Sequence, residues 1–180
     1  MELLAELRNN TSDLHQRLDR AVSRTPFASP EGYQRFLLMH ARVLPQAERW
    51  LAAQPLYATL PGDRLRTAAL ARDLEALALS MPAGACVAGN SSSVAGLAYV
   101  LEGSRLGARY LLGQLAKAGA PYPVAFLRHG EGEDHWTSFR AWLAAQPANQ
   151  SAVATAVTSA RALFDAYLEA VCHLEGAQAQ

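Results

Sequence analysis

Apolar residues recur along this chain at steps of three and four, and nowhere do they alternate cleanly enough to describe a strand. Leu4, Leu7, Thr11, Leu14, Leu18 and Val22 mark a first helix over about residues 2–22. Thr25-Pro26 and Ser29-Pro30 punctuate the loop that follows. Ser29-Pro30-Glu31 offers a serine N-cap, a proline at the first helical position and an acidic first turn. A second helix is expected from there to about residue 53, kinked at Pro45. Leu60-Pro61-Gly62-Asp63 reads as a turn into a third helix that ends near Met81-Pro82. Residues 84–90 read as loop, with Ser91, Ser92 and Ser93 as alternative caps for a fourth helix reaching Lys117 and stopping at Gly119. The segment 129–134, HGEGED, is expected to be loop, with a short helix over 136–145 and a long one over 149–173. The tail 176–180 is expected to fray, and no repeat, linker or second domain interrupts residues 1–175. The expected fold class is all-α, a single-domain helical bundle.

Composition agrees with a folded core: 180 residues, 51% hydrophobic and 18% charged. Sixteen basic residues balance sixteen acidic ones. That balance argues against a nucleic-acid binder relying on a broad basic surface, yet leaves room for a small anionic ligand held by a few cations. Cys86 and Cys172 match no metal or redox spacing. The opening MELLAELRNN is acidic and amphipathic, unlike a signal peptide. The most apolar stretch, 94–115, carries Glu102, Arg105 and Arg109, so no membrane span is expected and the cytoplasm is the default location.

Two helices carry candidate chemistry. On the first, Arg8, Thr11, Ser12, His15 and Asp19 fall at steps of three or four beside the apolar stripe. A histidine there can aim a ring nitrogen into a crevice, and neutral imidazole is a common axial ligand of haem iron. Arg8 lies two turns earlier, roughly 10 Å along the axis, where a guanidinium can grip a carboxylate. His15 bonded to a neighbour and Arg8 as a solvated charge explain the same residues. On the fourth helix, Gly96, Gly103 and Gly107 fall within about 40° of one another, bordered by Tyr99 and Tyr110 on one side and Val100 and Ser104 on the other. Each interior glycine costs a helix about 1 kcal/mol relative to alanine, so three on one face need a cause. Either a flat ligand approaches the bare backbone, or another helix packs against it. A histidine helix facing a glycine helix would bound one flat slot.

At this point the sequence resembles a known family. Arg8-x-x-Thr11-x-x-x-His15-x-x-x-Asp19 resembles the proximal-helix motif of biliverdin-producing haem oxygenases. Tyr99-Val100-x-Glu102-Gly103-Ser104-x-Leu106-Gly107 resembles the distal-helix motif of their bacterial branch, and the helical pattern fits their fold over nearly the whole chain. The resemblance implies haem as both substrate and cofactor, with His15 the iron ligand and Arg8 on a propionate. It implies further that Gly103 and Gly107 close over the gas ligand, with Ser104 between them on the distal side. Thr11, Tyr99 and, by a looser alignment, Arg140 are further candidates for haem contact.

The implied reaction opens haem to biliverdin, releasing carbon monoxide and ferrous iron, with dioxygen and an electron donor such as a ferredoxin or a flavin reductase. Its purpose is phytochrome chromophore supply, with a bacteriophytochrome as acceptor, or iron release. Two departures stand out. Ser104 occupies the position where mammalian-type members carry an aspartate that organises proton-donating waters, and Ala144 stands where some members add a basic residue. The competing readings are a non-catalytic haem carrier or sensor on the same fold, and a bundle of the thiamin-related hydrolase kind. The first would not need bare distal glycines; the second would need a nucleophile and carboxylates that no motif here supplies.

Other residues read as structural. His129 and His135 flank an acidic loop, His40 is a bonded core or boundary residue, and Cys172-His173 belongs to helix packing. Arg64, Arg66 and Arg72 form the one local basic cluster, expected as a solvated helix face.

Overall fold

The N-terminal stripe forms α1 (Leu3–Val22), with Leu3, Leu4, Leu7, Thr11 and Leu14 buried. The computed structural model describes residues 2–87, 89 and 92–177, and among these there is no strand. The second helix, α2 (Pro30–Ala52), starts as its sequence requires: Ser29 Oγ accepts from Gly32 N at 3.0 Å, and Pro30 occupies the first turn. It runs unbroken through Pro45.

The expected third helix is shorter at both ends. After a 3-10 turn (Tyr57–Thr59), α3 covers only Thr67–Ala76. Its start is set from outside, because Glu48 of α2 accepts from Arg66 N (2.7 Å), Thr67 N (2.9 Å) and Thr67 Oγ1 (2.6 Å). A carboxylate on these free amides caps the helix, an arrangement worth about 1 kcal/mol. Asp73 of α3 does the same for the short α6 (Ala125–Arg128), accepting from Ala125 N and Phe126 N at 2.9 and 2.8 Å.

The expected fourth helix is two helices, α4 (Val94–Leu106) and α5 (Ala108–Lys117), divided at Gly107. Ser93 is the cap in use, accepting from Gly96 N at 3.3 Å; Ser91 lies outside the described residues. The chain closes with α7 (His135–Ala144), capped by Asp134, and α8 (Gln150–Ala177). Gly176 and Ala177 thus belong to α8 rather than to a tail, and 178–180 lie outside the described residues.

The longest helix, α8, is the hub and packs against α1, α2 and α4. Leu7, Leu37, Leu44, Leu97 and Leu163 are wholly buried between these helices, each contributing roughly 1.5–3 kcal/mol. Small residues let α4 lie close on α8: a Cβ on Gly96 would stand 2.2 Å from the Ala156 carbonyl oxygen. The first glycine of the predicted strip is therefore a helix-packing residue. No helix among the described residues is long and apolar enough to cross a membrane.

Candidate functional site

The buried stripe of α1 gives out after Leu14, and from His15 onward its inner face borders a cavity of about 950 Å³. One wall is α1, with His15, Leu18, Asp19 and Val22. The opposite wall is the α4–α5 pair, with Tyr99, Gly103, Ser104, Gly107 and Tyr110. Phe36, Met39 and His40 of α2, with Phe164 and Tyr167 of α8, close the interior end. A hypothetical Cβ on Gly103 or Gly107 meets nothing within 4 Å. The glycine strip thus splits by function: Gly96 lets two helices touch, while the other two leave open space in front of His15's helix.

His15 is more than half open to solvent, its ring edge-on to Phe164 at 5.9 Å. Its Nδ1 lies 3.0 Å from Asp19 Oδ2, one turn along the same helix. With Nδ1 engaged, Nε2 is the nitrogen left for a ligand. Arg8 is the only lysine or arginine among the described lining residues.

Thr11 is buried and donates its hydroxyl to the Leu7 carbonyl at 2.7 Å, so the structure places it in the core behind the wall. Arg140 is exposed on α7 and does not border the cavity, although Trp136 of the same helix does.

Behind the glycine wall the structure corrects the sequence reading. Arg64 and Arg66 are not a solvated face: they are 3% and 4% exposed, and only Arg72 faces out. Arg66 Nη2 donates to Ser104 Oγ at 2.8 Å and to the Leu101 carbonyl at 3.0 Å, and its guanidinium stands 5.0 Å from the Phe126 ring. Burial, and then the Arg105 charge, bring its pKa down to about 10. Ser104 spends its own proton on the Leu101 carbonyl at 2.6 Å.

His40 is the bonded, buried residue that the sequence suggested, sharing a hydrogen bond with Tyr167 (Nδ1 to hydroxyl, 3.3 Å). It also lines the cavity, which the sequence did not reveal. Burial, reinforced by the Arg66 charge, pushes its pKa down to about 3, so the ring is neutral. Burial likewise pushes the Tyr167 phenol up. His135, expected to flank the acidic loop, is the first residue of α7 and buried.

A mostly apolar cavity with the His15 imidazole on one wall and two bare glycines on the other suits a large, mostly apolar ligand that a histidine can hold. A family model described as "Heme oxygenase" matches residues 1–172. A solved heme oxygenase from Neisseria meningitidis, determined with NO and CO bound, is 25% identical. That match covers 98% of this chain and 93% of the other, with a TM-score of 0.79. No curated protein matches. The chain belongs to the haem oxygenase family. It is an enzyme of oxidative haem degradation, with haem bound as substrate and cofactor, biliverdin as the family's product, and dioxygen and a reductant consumed.

Proposed function

We propose that His15 holds haem iron through Nε2 and that Gly103 and Gly107 face the iron's opposite side. The observation that carries this reading is the pairing of the two walls. A histidine with Nδ1 fixed by Asp19 borders the same cavity as two glycines whose missing side chains leave open space. Haem, once bound, supplies the metal at which dioxygen is reduced and the ring carbon that is oxidised.

The chain's own residues do the rest. Asp19 accepts the Nδ1 proton of His15, which selects the tautomer with a free Nε2 lone pair and keeps the ring from turning. Arg8, the one lysine or arginine among the described lining residues, pairs with a propionate, and Tyr99 borders the same slot from α4. Phe36, Met39 and Phe164 keep bulk water from the interior end. The sequence did not reveal how protons reach the distal side, and we assign that to His40 and Tyr167. A neutral imidazole hydrogen-bonded to a phenol can relay a proton in concert, giving one up at one ring nitrogen as the other is reprotonated, without resting as the imidazolium that burial disfavours. Ser104 is a spacer whose hydroxyl is held between Arg66 and Leu101. We further propose a ferredoxin or a flavin reductase as one-electron donor, and a reducing, cytoplasmic setting that suits the free Cys86 and Cys172. A bacteriophytochrome is one acceptor that biliverdin suits.

The test is one equivalent of hemin added to the purified protein and to His15→Ala, followed spectroscopically with ascorbate or a ferredoxin system under air. A Soret band that decays as a red biliverdin absorbance grows, crippled in the variant, is the expected result. A histidine-type Soret band that persists with either donor makes the protein a carrier instead. Absence of any Soret shift removes the haem assignment of the cavity.

A further inference from the structure

The turn of α4 that holds Gly103 is tied down from behind. The Glu102 side chain points away from the cavity and is 2% exposed, with Oε2 2.7 Å from Arg64 Nη1 and 3.2 Å from Arg105 Nε. Arg64 spends its remaining donors on the Pro61 carbonyl (2.7 Å), the His135 carbonyl (3.2 Å) and Ser138 Oγ (2.7 Å). Arg105 returns a bond to the Arg64 carbonyl, and Ser104 takes one from Arg66. Of the four residues 102–105, the three with side chains are therefore each bonded to residues 64–66. Gly103 is the exception, and it borders the cavity. Glu48 fastens residues 66–67 to α2, so the frame itself is fixed. A single turn further on the helix breaks at Gly107, and only Leu115 of α5 is buried.

Core leucines already hold α4 against α8, so these charges are not needed merely to keep the helix attached. Burying two guanidiniums around one carboxylate is a poor route to stability, because desolvation offsets much of the attraction. What such a cluster does supply is direction: charge-assisted bonds to Glu102 and from Arg64 are geometrically specific. Resting on the haem reading of the slot, we infer that Glu102, through Arg64, is a positioning residue for haem degradation, fixing the α4 turn that carries Gly103 over the haem face.

The experiment compares wild type with Glu102→Gln and with Ser138→Ala, which removes only one of Arg64's bonds. In the haem-free proteins, amide exchange at residues 103–106 is expected to quicken about tenfold in Glu102→Gln relative to amides of α2. In the haem-loaded ferrous proteins with carbon monoxide as probe, the C–O stretching band of Glu102→Gln is expected to be broader than that of wild type or split. Haem affinity should stay within about threefold, since His15 and Arg8 are untouched, while biliverdin isomer purity falls. Ser138→Ala should move exchange and band in the same direction by less. A folded Glu102→Gln with wild-type exchange and an unshifted band overturns the inference. Should that variant fail to fold, an unchanged Ser138→Ala overturns it equally. Wild type that gives no Soret band with hemin would instead remove the haem reading, leaving the haem-free exchange result to judge the latch alone.

Discussion

Asp19 Oδ2 sits 3.0 Å from Nδ1 of His15, and this bond decides which face of the imidazole is offered to the slot. Both groups are more than half exposed, so the pair adds little to stability; its effect is on the orientation of the ring. Asp19→Asn should leave the fold intact and weaken haem affinity by about tenfold, since outer partners of metal-bound histidines typically matter by 10- to 100-fold. Haem dissociation to an apoprotein acceptor measures this directly. An unaltered off-rate would mean that Asp19 does not orient His15.

The two kinds of glycine on α4 are expected to respond oppositely to alanine. At Gly96 the new methyl would collide with the Ala156 carbonyl oxygen, so Gly96→Ala should cost about 1–3 kcal/mol as α4 is pushed off α8. At Gly103 it meets nothing, and the helix gains about 1 kcal/mol of propensity. Gly103→Ala should therefore unfold at a higher urea concentration than wild type while turning haem over more slowly. A Gly103→Ala protein that is both more stable and fully active would show that the haem face does not approach this backbone.

Acid should weaken the fold through its buried histidines. His40 has its pKa depressed to about 3 by burial and then by Arg66; the other rings facing it, Phe36, Phe126 and Tyr167, carry no compensating negative charge. Burial and then Arg105 depress His129 and His135, with Asp63, Arg66 and Glu48 also acting on the former and Arg64, Glu102 and Glu133 on the latter. The unfolded chain takes up protons below the ordinary value of 6.5, while the native state does not take one at His40 until about pH 3. The stabilisation is thus complete above that ordinary value and drains as pH falls, by up to about 1.4 kcal/mol per pH unit for His40. Urea midpoints between pH 7 and 4.5 should drop accordingly, and His40→Gln should remove its share of the slope. A slope unchanged in that variant would show that His40 protonates inside the fold.

What could be read from the sequence follows the range of the interactions. Helix starts were readable because Ser29-Pro30 and Ser93 act on amides three residues away. That His15 and the glycine helix border one cavity was readable because their motifs are local. The short α3 was not, since its start is capped by Glu48, eighteen residues upstream. Arg64 and Arg66 looked like solvated charges because their partners, Glu102 and Ser104, lie 38 residues away. Gly96 could not be told from Gly103 by its wheel position; what differs is whether α8 or the cavity lies opposite. Thr11 and Arg140 show the reverse: motif positions that suggested ligand contact, one turned into the core and the other on the surface away from the slot.

Ser104 offers the sharpest separation of positioning from proton delivery. Its hydroxyl hydrogen is committed to the Leu101 carbonyl and its oxygen accepts from Arg66, so it has no proton to give the cavity. Ser104→Ala removes both bonds and leaves Arg66, whose Nε already lacks a partner, with the Leu101 carbonyl as its remaining acceptor in this network. The loss should appear as about 1–2 kcal/mol of stability. Turnover should stay within about threefold of wild type, with an unchanged solvent isotope effect, because the protons come from elsewhere. His40→Gln should do the opposite, slowing turnover by at least about tenfold, the lower range for a lost general acid or base, and altering the isotope effect. Single-turnover rates in water and deuterium oxide for the two variants decide between them. If Ser104→Ala alone abolishes the isotope effect, the serine is the proton donor and His40 with Tyr167 merely fill the end of the cavity.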